Sequence, residues 1–307
     1  RDIMRPADMD APADTHSKTA AKPRRVRNTD SYFPPIEGDH VRQIGLKFIR
    51  YGEKNCFKNI LISYGTCDKI ADTHVLAAKT EEQLLLTMTA VLQKYDPDFI
   101  IGYNIFNFDF PFLYDRADEL GVLDDFSRLG RLRGLDGNIA TSFMTEKRGK
   151  VKTKYLEISG RIQIDILKIL QREQPNLDSY KLDNVASHFI KSAIRKLEYV
   201  EGRGTDIYVD DSTGIYADNF IHVLYTEGYT ENKLDKKYRL VSVRKDGKSH
   251  ILTIAENIVE DVGKYKDKKW SLAKDDLSPK DLFAKFRGTS ADRALIGKYC
   301  MMDVNLC

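Results

Sequence analysis

The sequence predicts an α/β layer fold that carries a small β-rich insertion. Three observations lead there. Strand-like and helix-like runs alternate between residues 41 and 191, the pattern of stacked strands and helices. Residues 80–95 have strong helical periodicity, with Leu84, Leu85, Met88, Val91 and Leu92 turned inward. From about Tyr199 to Lys268 the character shifts to short alternating runs, split by turn signals such as Asp246-Gly247.

Taken in order, residues 1–31 are rich in Pro, Ala, Asp and Arg and are expected to be irregular. Lys22-Pro-Arg-Arg-Val-Arg27 is a basic run there; a solvated arm fits it better than a DNA contact. Residues 41–50 alternate as a strand, and 58–64 read as another. Asp96-Pro-Asp98 ends the helix over 80–95, because proline disfavours helical backbone in the residue before it. The apolar run Phe99-Ile-Ile101 reads as a buried strand. Gly102 ends it, Asn104 and Asn107 are turn formers, and a helical pattern begins at Phe108. Asp109 is therefore expected near a strand-to-helix junction, with its carboxylate facing a cleft. Four lysines and one arginine surround Gly149 in residues 145–154, a hairpin tip equally suited to phosphates or to water. Residues 155–159 and 163–166 look like strands, 167–171 begin a helix, and 180–191 form another. Within 199–268, strand runs are expected at 214–224, 238–244 and 250–254. This barrel-like insertion is better explained as a surface elaboration than as a DNA- or partner-binding module.

A chain of 307 residues fits one large domain or two smaller ones, and a hydrophobic fraction of 42% supports a core. A net charge of +3 gives no global argument for a polyanionic partner. No apolar run approaches the roughly 20 residues needed to cross a bilayer, and no signal-peptide pattern is present. Cys56, Cys67, Cys300 and Cys307 lack paired metal-ligand spacing. Reduced thiols of an intracellular protein fit them better than a bridge between Cys56 and Cys67. The chain starts at Arg1 and stops at Cys307 inside a helical pattern, so an internal piece of a larger protein is expected.

Residues 291–303 have helical periodicity, with Ala294, Leu295, Lys298, Tyr299 and Met302 spaced by three and four. Tyr299 and Asp303 are four apart and share one helix face. A carboxylate that holds a divalent ion beside a phenol that orients water suits metal-assisted phosphodiester hydrolysis.

These residues resemble the exonuclease motifs of B-family DNA polymerases. Asn104, Phe108 and Asp109 match the second motif, in which an Asn lies five residues before the Asp of a Phe-Asp pair. Tyr299 and Asp303 match the third, Tyr followed by three residues and Asp. The resemblance also takes in Tyr32-Phe-Pro-Pro35, Val41-Arg-Gln-Ile-Gly45, and residues 159–167, 177–189 and 298–303. Residues 270–283 and 288–294 look like the polymerases of large eukaryotic DNA viruses, the nucleocytoplasmic large DNA virus type.

The resemblance implies a ribonuclease H-like exonuclease fold, a mixed sheet flanked by helices, over residues 32–198 and 269–307. The β-rich insertion at 199–268 interrupts it. It also implies the 3′–5′ proofreading region of a DNA-directed DNA polymerase, hydrolysing 3′-terminal nucleotides with two divalent metal ions, Mg2+ or Mn2+. Asp109 and Asp303 would hold metal, and Tyr299 would position the water. Asn104 would support the site and the bound strand, and Phe108 would pack beneath it. Phe106, Phe110 and Tyr155 are candidates for stacking on a single-stranded primer end, with core packing as plausible for each. Asp165 lies outside the motifs, and structural support suits it better. The family's first motif, Phe-Asp-Ile-Glu, finds only Arg1-Asp-Ile-Met4 here. Asp2 is thus the remaining metal-ligand candidate, and the soft thioether of Met4 cannot replace a glutamate. The implied partners are primer-template DNA with its single-stranded 3′ end, the rest of the polymerase chain and a processivity factor, with no membrane. The implied place is a host nucleus or a cytoplasmic viral factory. The family's polymerase motifs do not occur in these residues. A free-standing 3′ exonuclease and a catalytically silent DNA-binding module are the alternatives.

Overall fold

The computed structural model describes residues 39–53, 56–146, 149–247, 249–273 and 279–307. Asp2, the basic run from Lys22 to Arg27, and Tyr32 to Pro35 lie outside the described residues. The first described strands, β1 (Gln43–Ile49) and β2 (Cys56–Tyr64), form an antiparallel pair. β3 (His74–Ala78) adds to β2 in parallel. α1 (Glu81–Tyr95) begins where the Thr80 side chain accepts the Gln83 amide, the stabilising arrangement at a helix start. It stops at Asp96, whose φ of 46° is incompatible with another helical turn. Its buried face is the expected one, Leu84, Leu85, Met88, Val91 and Leu92.

β4 (Phe99–Gly102) pairs in parallel with β7 (Ile162–Asp165). Between them run a π turn, Ile105–Asp109, then α2 (Phe110–Glu119) and the short α3 (Leu123–Phe126). The hairpin of β5 (Ile139–Glu146) and β6 (Gly149–Leu156) follows, paired from Ile139 with Leu156 to Glu146 with Gly149. After β7 come α4 (Ile166–Glu173) and α5 (Leu182–Phe189). One core joins β1, β2, β3, α1, α2, α3 and the β5–β6 hairpin, with Ile60, Ile62, Leu84, Leu85, Phe126, Leu129 and Leu156 almost wholly buried. Each such side chain contributes about 1.5–3 kcal/mol of burial. Ala186 of α5 packs instead into the second core. The architecture is mixed α/β.

The second core is all β. β8 (Lys191–Val200), β9 (Gly204–Val209), β10 (Phe220–Glu227), β11 (Thr230–Lys233), β12 (Tyr238–Asp246), β13 (Ser249–Ile254) and β14 (Lys268–Ala273) form one antiparallel sheet. Neighbours run β10-β12-β13-β9-β8-β14, and β14 pairs back onto β10, so the sheet closes into a barrel. β11 hangs on β10 as a hairpin, and the short α6 (Val259–Val262) precedes β14. Ile207, Ile221, Leu240, Leu252, Ile254 and Trp270 fill the interior. Asp206, only 1% exposed, is buried in this region. Its carboxylate accepts bonds from Thr253 (2.7 Å), Arg244 (2.5 Å) and Arg203. Burial alone would raise that carboxyl, but these partners hold it below the ordinary range.

Three expectations shift. The strand expected to be buried at 99–101 leaves Phe99 (48%) and Ile101 (52%) exposed, because β7 is its one partner strand among the described residues. Of residues 214–224 only Phe220 onward is strand, because Gly214 (φ 80°) and Asp218 (φ 70°) turn the chain first. The helix expected to reach Lys191 ends at Phe189, and Lys191 opens β8 because Ser271 of β14 is there to pair with it. α7 (Pro279–Phe286) packs on α8 (Ser290–Asn305), which returns to β1 and β2, where Ala294 and Met301 close a small third cluster with Leu61 and Ile70. Among the described residues no helix is long and apolar enough to cross a membrane. All four cysteines are free thiols.

Candidate active site

The site is built from the end of β4. Gly102 has no alternative there, since a Cβ would lie 2.4 Å from Cγ2 of Ile105. Asn104 takes the left-handed conformation, φ 61°, which Asn tolerates better than most residues. Asp165, at the end of the neighbouring β7 and 2% exposed, fixes the turn. Its carboxylate accepts the amides of Asn104 (2.8 Å), Phe106 (3.1 Å) and Leu167 (3.0 Å). Bonds from several amides to one charge are strong, and the last of them also caps α4. Asn107 is tied by the Lys154 amide to its Oδ1 (2.9 Å), which joins the turn to the hairpin. The π turn delivers Asp109 to the N-terminal end of α2; such turns occur frequently at functional sites.

α2 is anchored in turn. Arg116, almost wholly buried, makes two bonds of 2.8 Å to the equally buried Glu81 at the start of α1. The Val41 amide and His40 complete the shell around Glu81. Burial would raise Glu81, yet Arg116 and Val41 hold its carboxyl below the usual value.

Asp109 is exposed to solvent at the N-terminal end of α2, yet protein atoms crowd its carboxyl on the inner side. That desolvation pushes its carboxyl up to about 6; its own amide opposes the shift and the charge of Asp165 adds to it.

α8 carries the other half. Thr289 and Asp292 form a reciprocal cap at its start. Two glycines let it lie close on β1 and β2. A Cβ on Gly297 would lie 2.4 Å from Cδ2 of Leu61, and one on Gly45 would lie 2.9 Å from Cγ2 of Val304. Gln43 Nε2 to the Arg293 carbonyl (2.9 Å) and Lys47 Nζ to Asn305 Oδ1 (2.8 Å) fix its rotation.

The Cys300 thiol is pushed up to about 12, first by burial, then by the charges of Asp303 and, more weakly, Asp109. The Cys307 thiol goes up to about 11, by burial and then by Asp303, Asp109 and Asp165. Both carboxylates are therefore within electrostatic reach of the same two sulfurs. Tyr299 and Asp303 line a narrow crevice with Asp183, Ala186, Tyr216 and Asn219. Phe108 is exposed and its ring stacks on Phe112 at 6.2 Å. Phe106 lies 6.0 Å from Tyr155, and Phe110 belongs to the core.

Residues 24–185 match the family model for the DNA polymerase family B exonuclease domain. The chain belongs to that family. It is 37% identical over 279 residues to a DNA polymerase of Pyramimonas orientalis virus, covering 91% of this chain and 21% of that one. It is 29% identical over 293 residues to a DNA polymerase of Phaeocystis pouchetii virus, covering 89% of this chain and 28% of that one. A DNA polymerase delta catalytic subunit of Candida albicans is 37% identical over 159 residues, covering 52% of this chain and 15% of its own. The chain thus spans less than a third of the length of each of these relatives. The family match ends at residue 185, before the barrel begins at Lys191. The alignment covering 91% of the chain necessarily takes in much of the barrel.

Among the described residues of this exonuclease domain, no group of three or more His, Cys, Asp or Glu is gathered to hold a metal. The chemistry of the donors nevertheless suits hard cations. Asp109 and Asp303 offer carboxylate oxygens, and the raised carboxyl of Asp109 marks an acid whose charge a cation would offset. Asp165 is committed to three amides and is a poor donor. Sequence reasoning missed Asp183, Tyr216 and Asn219 in the crevice. Nothing local marks them, since helix α5 brings Asp183, and the loop between β9 and β10 brings Tyr216 and Asn219, to α8.

Proposed function

We propose that this exonuclease domain removes 3′-terminal nucleotides from a primer strand as the proofreading part of a viral-type replicative DNA polymerase. The observation that carries the proposal is the match of residues 24–185 to the family B exonuclease domain, with Tyr299 and Asp303 one turn apart on α8 and lining one crevice. The ribonuclease H-like fold over residues 32–198 and 269–307, interrupted at 199–268, belongs to this proposal.

When bound, two divalent cations would activate a water and stabilise the leaving oxygen of an in-line displacement at phosphorus. Asp109 and Asp303 hold them on this reading, and Asp2 is the third acid. Tyr299, one turn before Asp303, orients the attacking water through its hydroxyl. Asn104 holds the turn that presents Asp109, and the exposed Phe108 lends a flat apolar face beside it. Lys152 and Lys154 on β6 suit the backbone of the same DNA. The partners on this reading are primer-template DNA, the remaining polymerase chain and a processivity factor, in a host nucleus or a viral factory.

Asp109→Ala and Asp303→Ala in the full-length polymerase test it. Each is expected to cut primer degradation by about a thousandfold, several kcal/mol of lost metal-assisted stabilisation, while nucleotide addition is spared. Equal loss of both activities refutes the assignment. Met4, standing where the family has a glutamate, favours a second reading, a catalytically silent DNA-binding module. Manganese binding that does not depend on Asp109 and Asp303 would establish that one instead.

A further inference from the structure

We propose that Tyr216, on the inserted barrel, stacks on the 3′-terminal base of the strand that the exonuclease site receives. The inference rests on the exonuclease reading and adds to it a contact from outside the matched residues. Tyr216 lies in the loop between β9 and β10 and lines the same crevice as Tyr299 and Asp303. It is 51% exposed, a large aromatic ring that the barrel core does not use. Its backbone is held firmly all the same. Asn219, largely buried, accepts the Tyr216 amide on Oδ1 (2.9 Å) and returns its own amide to the Tyr216 carbonyl (3.2 Å). The Leu240 amide binds the Asn219 carbonyl (2.8 Å), the Asp218 amide binds the Leu240 carbonyl (2.9 Å), and Arg239 pairs with Asp218 at 2.8 Å. Ile215 beside it is locked into the barrel core.

An exposed ring on an ordered loop loses little freedom when a ligand covers it. Stacking on such a ring is tolerant of base identity, because every base has a flat face. An activity that must accept any terminal nucleotide needs that tolerance. Phosphate contacts alone would hold the strand without seating its last base beside Asp303.

The test is a primer carrying 2-aminopurine at its 3′ end, titrated in EDTA with the full chain. In EDTA no cleavage occurs, so fluorescence reports stacking without catalysis. Wild type is expected to change the emission on binding. Tyr216→Ala is expected to lose that change and to weaken end binding about tenfold, and Tyr216→Trp to restore both. In metal-supported degradation, Tyr216→Ala should raise KM by a similar factor with kcat nearly unchanged. Melting curves of the variants establish that the barrel is intact. Tyr216→Ala that binds the end as tightly as wild type, with the same emission, overturns the proposal. The exonuclease reading fails by a different route, if Asp109→Ala and Asp303→Ala still degrade primer, and that outcome leaves the EDTA titration readable.

Discussion

Two acids, one in each core, are handled in opposite ways. Asp206 in the barrel is wrapped by Arg203, Arg244 and Thr253, and its carboxyl is held below the ordinary range. Asp109 in the α/β core meets desolvation and the charge of Asp165, and its carboxyl rises to about 6. The barrel answers its buried charge from within. The α/β core leaves Asp109 in need of positive charge from outside, as perturbed acids at functional sites often are. The same contrast runs through the backbones. The barrel closes its ring of strands, whereas the α/β core ends β4 in a turn where a Cβ at Gly102 would crowd Ile105 and Asn104 takes the left-handed conformation.

Four measurements sharpen or break this comparison. The largest effect is expected from Arg116→Ala, which leaves Glu81 buried without its partner. It should cost about 3–5 kcal/mol in denaturant unfolding and should impair degradation, because Asp109 caps the start of α2. Asp206→Asn should destabilise by about 2 kcal/mol, less than the Arg116 change because its arginine partners reach water. Its loss should leave primer cleavage intact if the barrel's charge is purely structural. Gly297→Ala should cost about 1–2 kcal/mol by pressing α8 off Leu61. Here the telling readout is a fall in cleavage larger than the loss of folded protein explains.

The smallest effect has the opposite sign. Asp109 is raised from 3.8 to about 6, so the folded state holds its proton where the unfolded state has released it. This destabilisation is absent below about pH 4, grows as pH rises to about 6, and is constant above. Asp109→Asn in EDTA should therefore be more stable than wild type above that window, by about 1 kcal/mol once solvent access is allowed for. Asp206 titrates the other way, contributing stability above its ordinary 3.8 that is lost as pH falls below it. If neutralising either acid shifts stability in the same direction, the contrast drawn above is wrong.

The sequence shows Asp109 and Asp303 because their signals are local. An apolar run, a glycine and two asparagines announce the turn, and a spacing of four sets Tyr299 and Asp303 on one face. The periodicity of α1 is legible for the same reason. What is not legible depends on distant partners. The pairing of β14 with β10 turns a run of hairpins into a closed ring, and no residue in either strand marks it. The ion pair of Glu81 with Arg116 links two helices by side chains that, in sequence, read as ordinary surface charges. The start of β8 at Lys191 needs Ser271 opposite it, so a helical pattern gives way to a strand. Asp183, Tyr216 and Asn219 reach the crevice only once both cores have folded.

Lys191 sits directly across from Ser271, so the barrel's first and last strands are hydrogen-bonded neighbours. Its two attachment points are thus separated by about 5 Å, one strand spacing. A module with touching ends is a cassette. The chain enters and leaves it at one place, and the contacts that seat α8 on β1 do not run through its strands.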